Sequence, residues 1–453
     1  MGINRSCLHE SGHAPGSARI SAIRGITISG LNRKKFYMSL DDVFNITLVL
    51  TIVQMIPMLV MVWIGIIAAG GLLKKKHSNP VLLRQRCTDF GIIVCAHNEE
   101  NAIGNLFQSI AALDYDQKKI HVFLLADRCT DDTVRVGKKY PFVTIFKRQD
   151  GENRGKGAVL HWGLGQILKT GAGKNADAFA VIDADNVLKA DFLSKMDRKL
   201  REGNPIVQGN RLGGQPYRSI VTKWYTMYWA CYTVFFSYAR EKLGLSAFLT
   251  GTGFAVDAEI LRREGWNTGT ITEDVEFSIS NILKGRRVAF CVDAVLYDEQ
   301  PYQFRVMFNQ IGRWCTGGYQ VLGKYGKSLL SWKKTEARPI QKFDTLMLLL
   351  MGPCSWIVEI LSVLNRTVMI FKLSLYFFVP FAFAGLLGMI GVYVGVLGTL
   401  RYNCISRRKI GIPAIITFPV FMWGYMLCSI KTCFFPTRKW TKIEHKSIDT
   451  EQT

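Results

Sequence analysis

Four long apolar stretches constrain what this chain can fold into. Val43–Leu73, Leu373–Leu400 and Ile410–Ile430 carry no charge, and Thr345–Phe371 carries only Glu359 and Arg366. A bilayer core takes roughly 20 apolar residues as helix, so each stretch is long enough to cross one. The first is too long and too far from the N-terminus for a signal peptide, and no small-residue cleavage site follows it. Between the first stretch and the other three lies a mixed, charged segment from Lys74 to about Asp344. The hydrophobic share of 49% is high for a soluble enzyme and low for a pure helix bundle. A soluble domain inserted between transmembrane helices fits both observations.

The formal charge of +22 invites nucleic acid, anionic lipid or an anionic substrate as partner. In a membrane protein the positive-inside bias accounts for it, and no nucleic-acid partner is expected. Basic clusters do flank the spans: Lys74–Lys76 with Arg84 and Arg86, and Arg401 with Arg407, Arg408 and Lys409. The first cluster places the middle segment in the cytoplasm. The eleven cysteines are scattered without a CxxC pair, so free thiols are expected. Residues 1–40 are small, polar and basic without periodicity and are expected to be a disordered tail; Met38 is a second candidate translation start. Both this tail and the C-terminal tail from 431 are basic, which favours inside, yet counting spans puts both outside. Either the last helix, with Pro413 and Pro419, re-enters or lies flat, which is the favoured expectation, or the charge rule fails here.

From Cys87 to about Gln300, short apolar runs alternate with helical patterns. Phe90–Ala96, His121–Asp127, Phe142–Arg148 and Ala178–Asp185 read as buried strands. Glu99–Leu113, Thr130–Tyr140, Lys156–Lys169 and Asp191–Arg201 read as helices. The alternation predicts an α/β domain with a mostly parallel sheet covered on both faces. Ligands bind beyond the carboxyl ends of such strands, so the loops there are the informative ones: "AHNEE", "ADRCTDD", "RQDGENRGKG" and "DADN".

A strand-end Asp or Asn often caps the next helix, and Asn98 alone fits that as well as any other role. Asp183 and Asp185 are harder to dismiss. Two carboxylates with that spacing can share a hard divalent cation, which takes oxygen ligands together with substrate phosphates. The seven histidines are dispersed and offer no softer site. "NRGKG" sets Arg154 and Lys156 among glycines at a helix start, either a solvated turn or a holder of phosphate oxygens. Acids facing a basic glycine loop suggest a nucleoside diphosphate. Further on, "ITEDVEFS" packs Glu273, Asp274 and Glu276 into four positions. It is either a solvated helix start or a catalytic carboxylate with its support.

Taken together these stretches resemble the family 2 glycosyltransferases, and most closely their processive membrane branch of cellulose, chitin-oligomer, hyaluronan and poly-N-acetylglucosamine synthases. The resemblance covers about Asp89 to Gly318 and the flanking spans. It rests on "AHNEE", "ADRCTDDT", "GKGAVL", "DAD" at Asp183–Asp185, "GTGFAV" at Gly251–Val256, "TED" at Thr272–Asp274 and "QIGRW" at Gln310–Trp314, in the family's order. Any one motif is weak; the ordered set is specific.

The resemblance implies a cytosolic GT-A domain over 87–318, a UDP-sugar donor, Mg²⁺ or Mn²⁺, and inversion at the anomeric carbon. It implies Asp274 as general base with Glu273 in support. It assigns the nucleotide-sugar to Ala96, Asn98, Glu99, Asp127, Lys156, Asp183 and Arg313, the metal to Asp185 and Asp183, and the acceptor to Gly251, Thr252, Gly253, Gln310, Arg313 and Trp314. An ordinary core tryptophan is the plain alternative for Trp314. Glu276, two residues past the base, reads as a solvated or dipole-favoured acid. His161, the single arginine of QIGRW and "VDAEIL" depart from many relatives and bear on the sugar more than on the reaction.

Around this domain the expected plan has an interfacial region at 319–343 and helices at 43–73, 345–371, 373–400 and 410–430, with a tail at 431–453. Arg218–Leu243 and Ser328–Phe343 read as amphipathic or buried helices near the membrane, touching glycan or only packing. Glu359 and Arg366, seven apart on one face, mark a wet path unless the helix ends near Glu359. The leading expectation is an inverting membrane enzyme that extends a β-linked polysaccharide from a UDP-sugar and exports it, with or without an accessory export subunit. Single-sugar transfer to a lipid carrier or short acceptor is the enzymatic alternative. A nucleotide-sensing transporter is the non-enzymatic one.

Overall fold

The computed structural model describes residues 40–75, 86–150, 155–331, 335–372 and 375–437. The N-terminal tail to residue 39, Lys76, Arg84, Arg154 and the C-terminal tail from residue 438 lie outside the described residues. The chain begins with α1 (Leu40–Leu73). It continues through β1 (Phe90–Ala96), α2 (Ile103–Ala111), β2 (Ile120–Asp127), α3 (Thr133–Gly137), β3 (Val143–Arg148), α4 (Lys156–Lys169), β4 (Ala178–Asp183), β5 (Val187–Leu188) and α5 (Phe192–Arg201). Then come β6 (Ile206–Gly213), α6 (Ile220–Cys231), a π-helical stretch (Tyr232–Tyr238), α7 (Ala239–Leu243), β7 (Phe254–Asp257), α8 (Ala258–Glu264), α9 (Glu273–Leu283) and β8 (Val288–Asp298). Long helices close the chain: α10 (Phe304–Leu330), α11 (Pro339–Lys372), α12 (Leu375–Tyr402), the short α13 (Arg407–Ile410) and α14 (Ile412–Phe434).

Among the described residues eight strands form one sheet in the order β3-β2-β1-β4-β7-β6-β8-β5. The four strands read from sequence are its parallel half: β1 pairs with β2 and β4, and β2 with β3. β7 runs antiparallel between β4 and β6, and β8 returns parallel to β6. The sheet is therefore mixed, with helices on both faces. Alternation along the buried strands feeds two cores. Ile92, Val94 and Leu124 pack with Phe107 of α2 and Phe192 of α5, whereas Ile93, Phe123 and Leu125 pack with Leu164 of α4 and Phe277 of α9. Burial on both faces is why these strands read as continuous apolar runs.

β6 escaped the sequence reading because its interior carries buried polar residues. Gln208 accepts the Thr250 N–H at 2.9 Å and donates to the Thr252 carbonyl at 2.9 Å, and Asn210 accepts from the Thr233 hydroxyl at 2.9 Å. The helix expected from Glu99 starts only at Ile103. Residues before it form a loop bonded to the one after β2, and Asn98 sits there in left-handed conformation, φ 59°. It caps no helix: its side chain accepts the Thr130 N–H at 2.7 Å.

Four described helices are long and apolar enough to cross a membrane: Asp41–Leu73, Pro339–Val368, Gly385–Tyr402 and Ile412–Phe434. α1 lies along α11, joined by Gln54 to Ser362 at 2.7 Å and Asn365 to Thr51 at 3.0 Å. At the sheet-side end Asp344 of α11 accepts from Arg240 of α7 at 2.9 and 3.0 Å and from Trp63 of α1 at 3.0 Å. The Arg240 and Asp344 side chains are 1% and 3% exposed. The described residues of Ser328–Phe343 hold the end of α10 and the start of α11, which opens at Pro339, a residue suited to a first helical turn. α11 runs past Glu359 to Lys372, and the Glu359 and Arg366 side chains pair at 3.5 Å on its partly exposed face.

Candidate functional site

The carboxyl ends of β1, β2 and β4 open into one cavity of about 940 Å³. Ala96 and Glu99 reach it from the loop after β1, Asp127 from the end of β2, and Asp183 and Asp185 from the turn after β4. Lys156 enters at the start of α4, where Gly155 holds φ at 79°. Gly251 comes from the loop before β7, Glu273 and Asp274 from the first turn of α9, and Gln310, Arg313 and Trp314 from α10. The fold thus gathers most of the residues singled out from sequence, across more than 200 positions of chain, around one space.

Three do not line it. Asn98 instead ties the first two loops together through Thr130. Thr252 is fully buried behind the cavity; its hydroxyl accepts the Asp183 N–H at 2.9 Å and donates to Asn186 Oδ1 at 2.5 Å. Gly253 lies deeper still, φ 67°, where a Cβ would meet Leu296 Cδ2 at 1.9 Å. These two hold the acid-bearing turn in place and present nothing to an acceptor, a correction to their expected role.

Electrostatically the cavity is a set of opposed charges. Both oxygens of Asp127 are engaged, by Arg148 at 3.0 Å and Arg128 at 2.7 Å. Lys156 donates to the Asp183 carboxylate and, at 2.6 Å, to the Gly251 carbonyl. Burial opposes its charge, but Asp183, Cys95 and Glu273 together outweigh this and the ammonium is held above its usual pKa. Burial and the adjacent Asp274 push the Glu273 carboxyl well above the ordinary carboxylate range, with Lys156 opposing. Asp274 is also raised by burial, against the Val275 N–H and Lys156. Adjacent buried carboxylates titrate as a pair, so one proton is shared between them before both ionise. Arg313 has no hydrogen-bond or ion-pair partner among the described residues, and burial lowers its pKa. A desolvated guanidinium without a carboxylate is an anion receptor in waiting.

Among the described residues no three His, Cys, Asp or Glu side chains cluster as a metal cage. Asp183, which also accepts from Lys156, and Asp185, which accepts from Asn186, are a two-carboxylate donor set lining the cavity, which suits a hard ion that fills its shell with phosphate and water.

The sequence reading missed one wall. Arg211 on β6 projects into the cavity, donating to Asp298 at 2.7 Å and to the Thr250 carbonyl at 2.9 Å, and lies 4.6 Å over Trp229. Tyr228, Trp229 and Tyr232 line the cavity from α6 and the π-helical stretch, and Tyr425 lines it from α14. Trp314 stacks on Tyr228 at 6.3 Å and Tyr228 on Tyr425 at 5.9 Å. Trp314 is thus both packed and cavity-facing. The aromatic run Arg218–Leu243 divides likewise, with Tyr225 and Met227 buried in packing. The signal for this wall was the aromatic density itself, which periodicity does not separate into lining and core.

A mixed sheet of this order with acids and a lysine at its carboxyl ends defines a nucleotide-sugar transferase class, and residues 88–317 match the model of glycosyltransferase-like family 2. The chain belongs to that family and is a glycosyltransferase, not a nucleotide-sensing transporter. It is 25% identical over 289 residues to a beta-monoglucosyldiacylglycerol synthase from Synechocystis, covering 60% of this chain and 57% of that one. It is 24% identical over 365 residues to a poly-beta-1,6-N-acetyl-D-glucosamine synthase from Staphylococcus epidermidis, covering 78% and 85%. The chain thus spans less than two thirds of the first relative's length. The fold is similar to that of a mannosyltransferase from Pyrobaculum calidifontis solved with GDP-Man and Mn²⁺, with TM-score 0.60, 15% identity, and coverage of 87% of this chain and all of that one.

Proposed function

We propose that this chain transfers a sugar, with inversion, from a UDP-sugar to the end of a growing β-linked polysaccharide at a membrane face, and passes the product across. One observation carries the proposal: Asp274, Arg313 and the Asp183/Asp185 pair share a cavity with Tyr425, a residue of a helix long enough to span a bilayer. The acceptor hydroxyl is too weak an acid to ionise unaided, so its proton must leave as it attacks. A carboxylate in reach can take it, and that role falls to Asp274. Glu273, whose carboxyl burial and Asp274 push above the ordinary range, shares the pair's proton and supports the geometry of the base. The leaving diphosphate gathers charge that Arg313 and Lys156 meet. Asp183 and Asp185 are suited to Mg²⁺ or Mn²⁺, which would screen the same charge. Asp127 and Glu99 are assigned to the nucleoside, and Trp314 with Gln310 to the terminal acceptor sugar.

The wide match to the poly-beta-1,6-N-acetyl-D-glucosamine synthase supports a polymer product. The match to the glucosyldiacylglycerol synthase favours a second reading, one sugar placed on a lipid. Purified membranes given a panel of UDP- and GDP-sugars distinguish them. The expected result is UDP release from one donor, abolished by EDTA and restored by Mg²⁺ or Mn²⁺, with a product of many sugars. Release only from a GDP-sugar overturns the donor, activity after thorough chelation overturns the metal, and a single-sugar lipid product establishes the second reading.

A further inference from the structure

Glu276 was expected in solvent, yet its side chain is fully buried. Its Oε2 accepts the N–H groups of Gly269 at 2.8 Å and Thr270 at 2.7 Å, and its Oε1 accepts from the Lys324 ammonium and, at 3.3 Å, the Tyr325 hydroxyl. A buried carboxylate persists only when its oxygens are this well occupied. One turn back along α10, Gln320 Oε1 accepts the Ile271 N–H at 3.0 Å. Another turn back, a Cβ on Gly317 would lie 2.4 Å from Thr272 Cγ2, so only glycine lets the two segments approach. Positions 317, 320 and 324 are spaced by three and four and share one helix face. Successive turns of α10 therefore grip residues 269–272, of which Thr270, Ile271 and Thr272 line the cavity. Immediately after this gripped segment come Glu273 and Asp274; immediately before the gripping face on α10 come Arg313 and Trp314.

We infer that Glu276, Gln320 and Lys324 form a clasp that fixes the base-bearing start of α9 against the anion- and acceptor-facing part of α10. They are positioning residues for the transfer, and this role rests on the reading of the reaction given above. None of the three lines the cavity. Their effect is on alignment, and a misplacement of about 1 Å costs on the order of 10²-fold in rate.

The test uses the full chain in detergent or membranes. In Glu276→Gln the Lys324 charge pair is lost, and the amide NH₂ replaces either the oxygen shared by the Gly269 and Thr270 N–H groups or the one facing Lys324 and Tyr325; in Lys324→Met, at a half-exposed position, Glu276 keeps the two backbone N–H groups and the Tyr325 hydroxyl. Each variant is expected to lower kcat for transfer at least about tenfold with nucleotide affinity within about twofold of the parent, measured by calorimetry. The double variant should be no worse than the weaker single, because both break one device. Glu276→Asp, which keeps the charge, should recover part of the rate. Parental kcat in both single variants overturns the clasp, as does a loss of nucleotide affinity equal to the loss of kcat. Should Glu276→Gln not fold, Lys324→Met and Gln320→Ala decide by the same readouts. Should the parent transfer no sugar at all, the reading of the reaction fails but the clasp is still tested. Hydrogen exchange of residues 266–275 should then be slow in the parent and fast in Lys324→Met; equal exchange overturns it.

Discussion

The Lys156 ammonium is seated on the Asp183 carboxylate, the first acid of the expected metal pair, and not only beside a phosphate site. Its positive charge also favours the ionised forms of Glu273 and Asp274. Lys156→Met removes that help, so both carboxyls hold protons to higher pH. The base is active when ionised. The acidic limb of the kcat profile is therefore expected to move to higher pH in Lys156→Met, and activity at fixed neutral pH to fall. A pH–rate series on both proteins checks it; a limb that stays in place or moves down removes Lys156 from the electrostatics of the base.

Asp274→Asn keeps shape and hydrogen-bonding capacity and loses the proton acceptor. Transfer should fall about 10²- to 10⁴-fold, while UDP binding measured calorimetrically stays near the parent value. Asp183→Asn should weaken both, since the proposed reaction sets it at the diphosphate and its ion. Radiolabelled donor gives the transfer rates. Substantial turnover in Asp274→Asn means that another group takes the proton.

Thr252→Val keeps volume and deletes the hydroxyl shared by the Asp183 N–H and Asn186. Leaving buried polar groups without a partner costs about 1–3 kcal/mol. A lower unfolding midpoint with an unchanged acceptor KM is expected. A raised acceptor KM at unchanged stability would return Thr252 to the acceptor site.

Arg240→Met strands Asp344 in the interior with the Trp63 N–H as its remaining cross-helix donor. Breaking one side of a buried pair costs about 3–5 kcal/mol. Denaturation in detergent should show that loss, and Arg240→Met combined with Asp344→Leu should recover most of it. Equal loss in single and double variants would mean that shape, not charge, holds α7 to α11.

Glu359 and Arg366 already satisfy each other on α11. If their face lines a glycan path, Glu359→Gln should shorten the exported polymer while UDP release by membranes stays near parental. Normal polymer of normal length outside the cell removes the path from this face.

The parallel half of the sheet was legible because strands buried on both faces, such as Phe90–Ala96, have no polar side to confuse the pattern. The acids and lysine at their ends followed from where such a sheet binds ligands. β6 was not legible, since Gln208 serves the backbone of the loop before β7 and Asn210 that of β8 at Val292, instead of packing apolar surface. Glu276 was misread for a related reason: Lys324 lies 48 positions away on α10, and the nearby Gly269 and Thr270 amides reach it only because the stretch before α9 folds back on its first turn. Thr252 and Gly253 belong to a recognisable motif, but which of its members face the cavity depends on a backbone turn at Gly251, φ 87°, that a string of letters does not orient.

Tyr425 of α14 stands more than 100 positions beyond the end of the family-matched segment, yet it closes the same chamber as Asp185. The catalytic compartment is therefore not severable. A fragment cut after residue 318, the apparent domain edge, ends inside α10 and removes both the rest of that helix and the aromatic lid from α14. Such a fragment keeps the acids and the lysine but lacks Tyr425, which lines the cavity and stacks on Tyr228 beside Trp314. A helix long and apolar enough to cross a membrane is thus part of the wall of the chamber that holds the acids and the lysine.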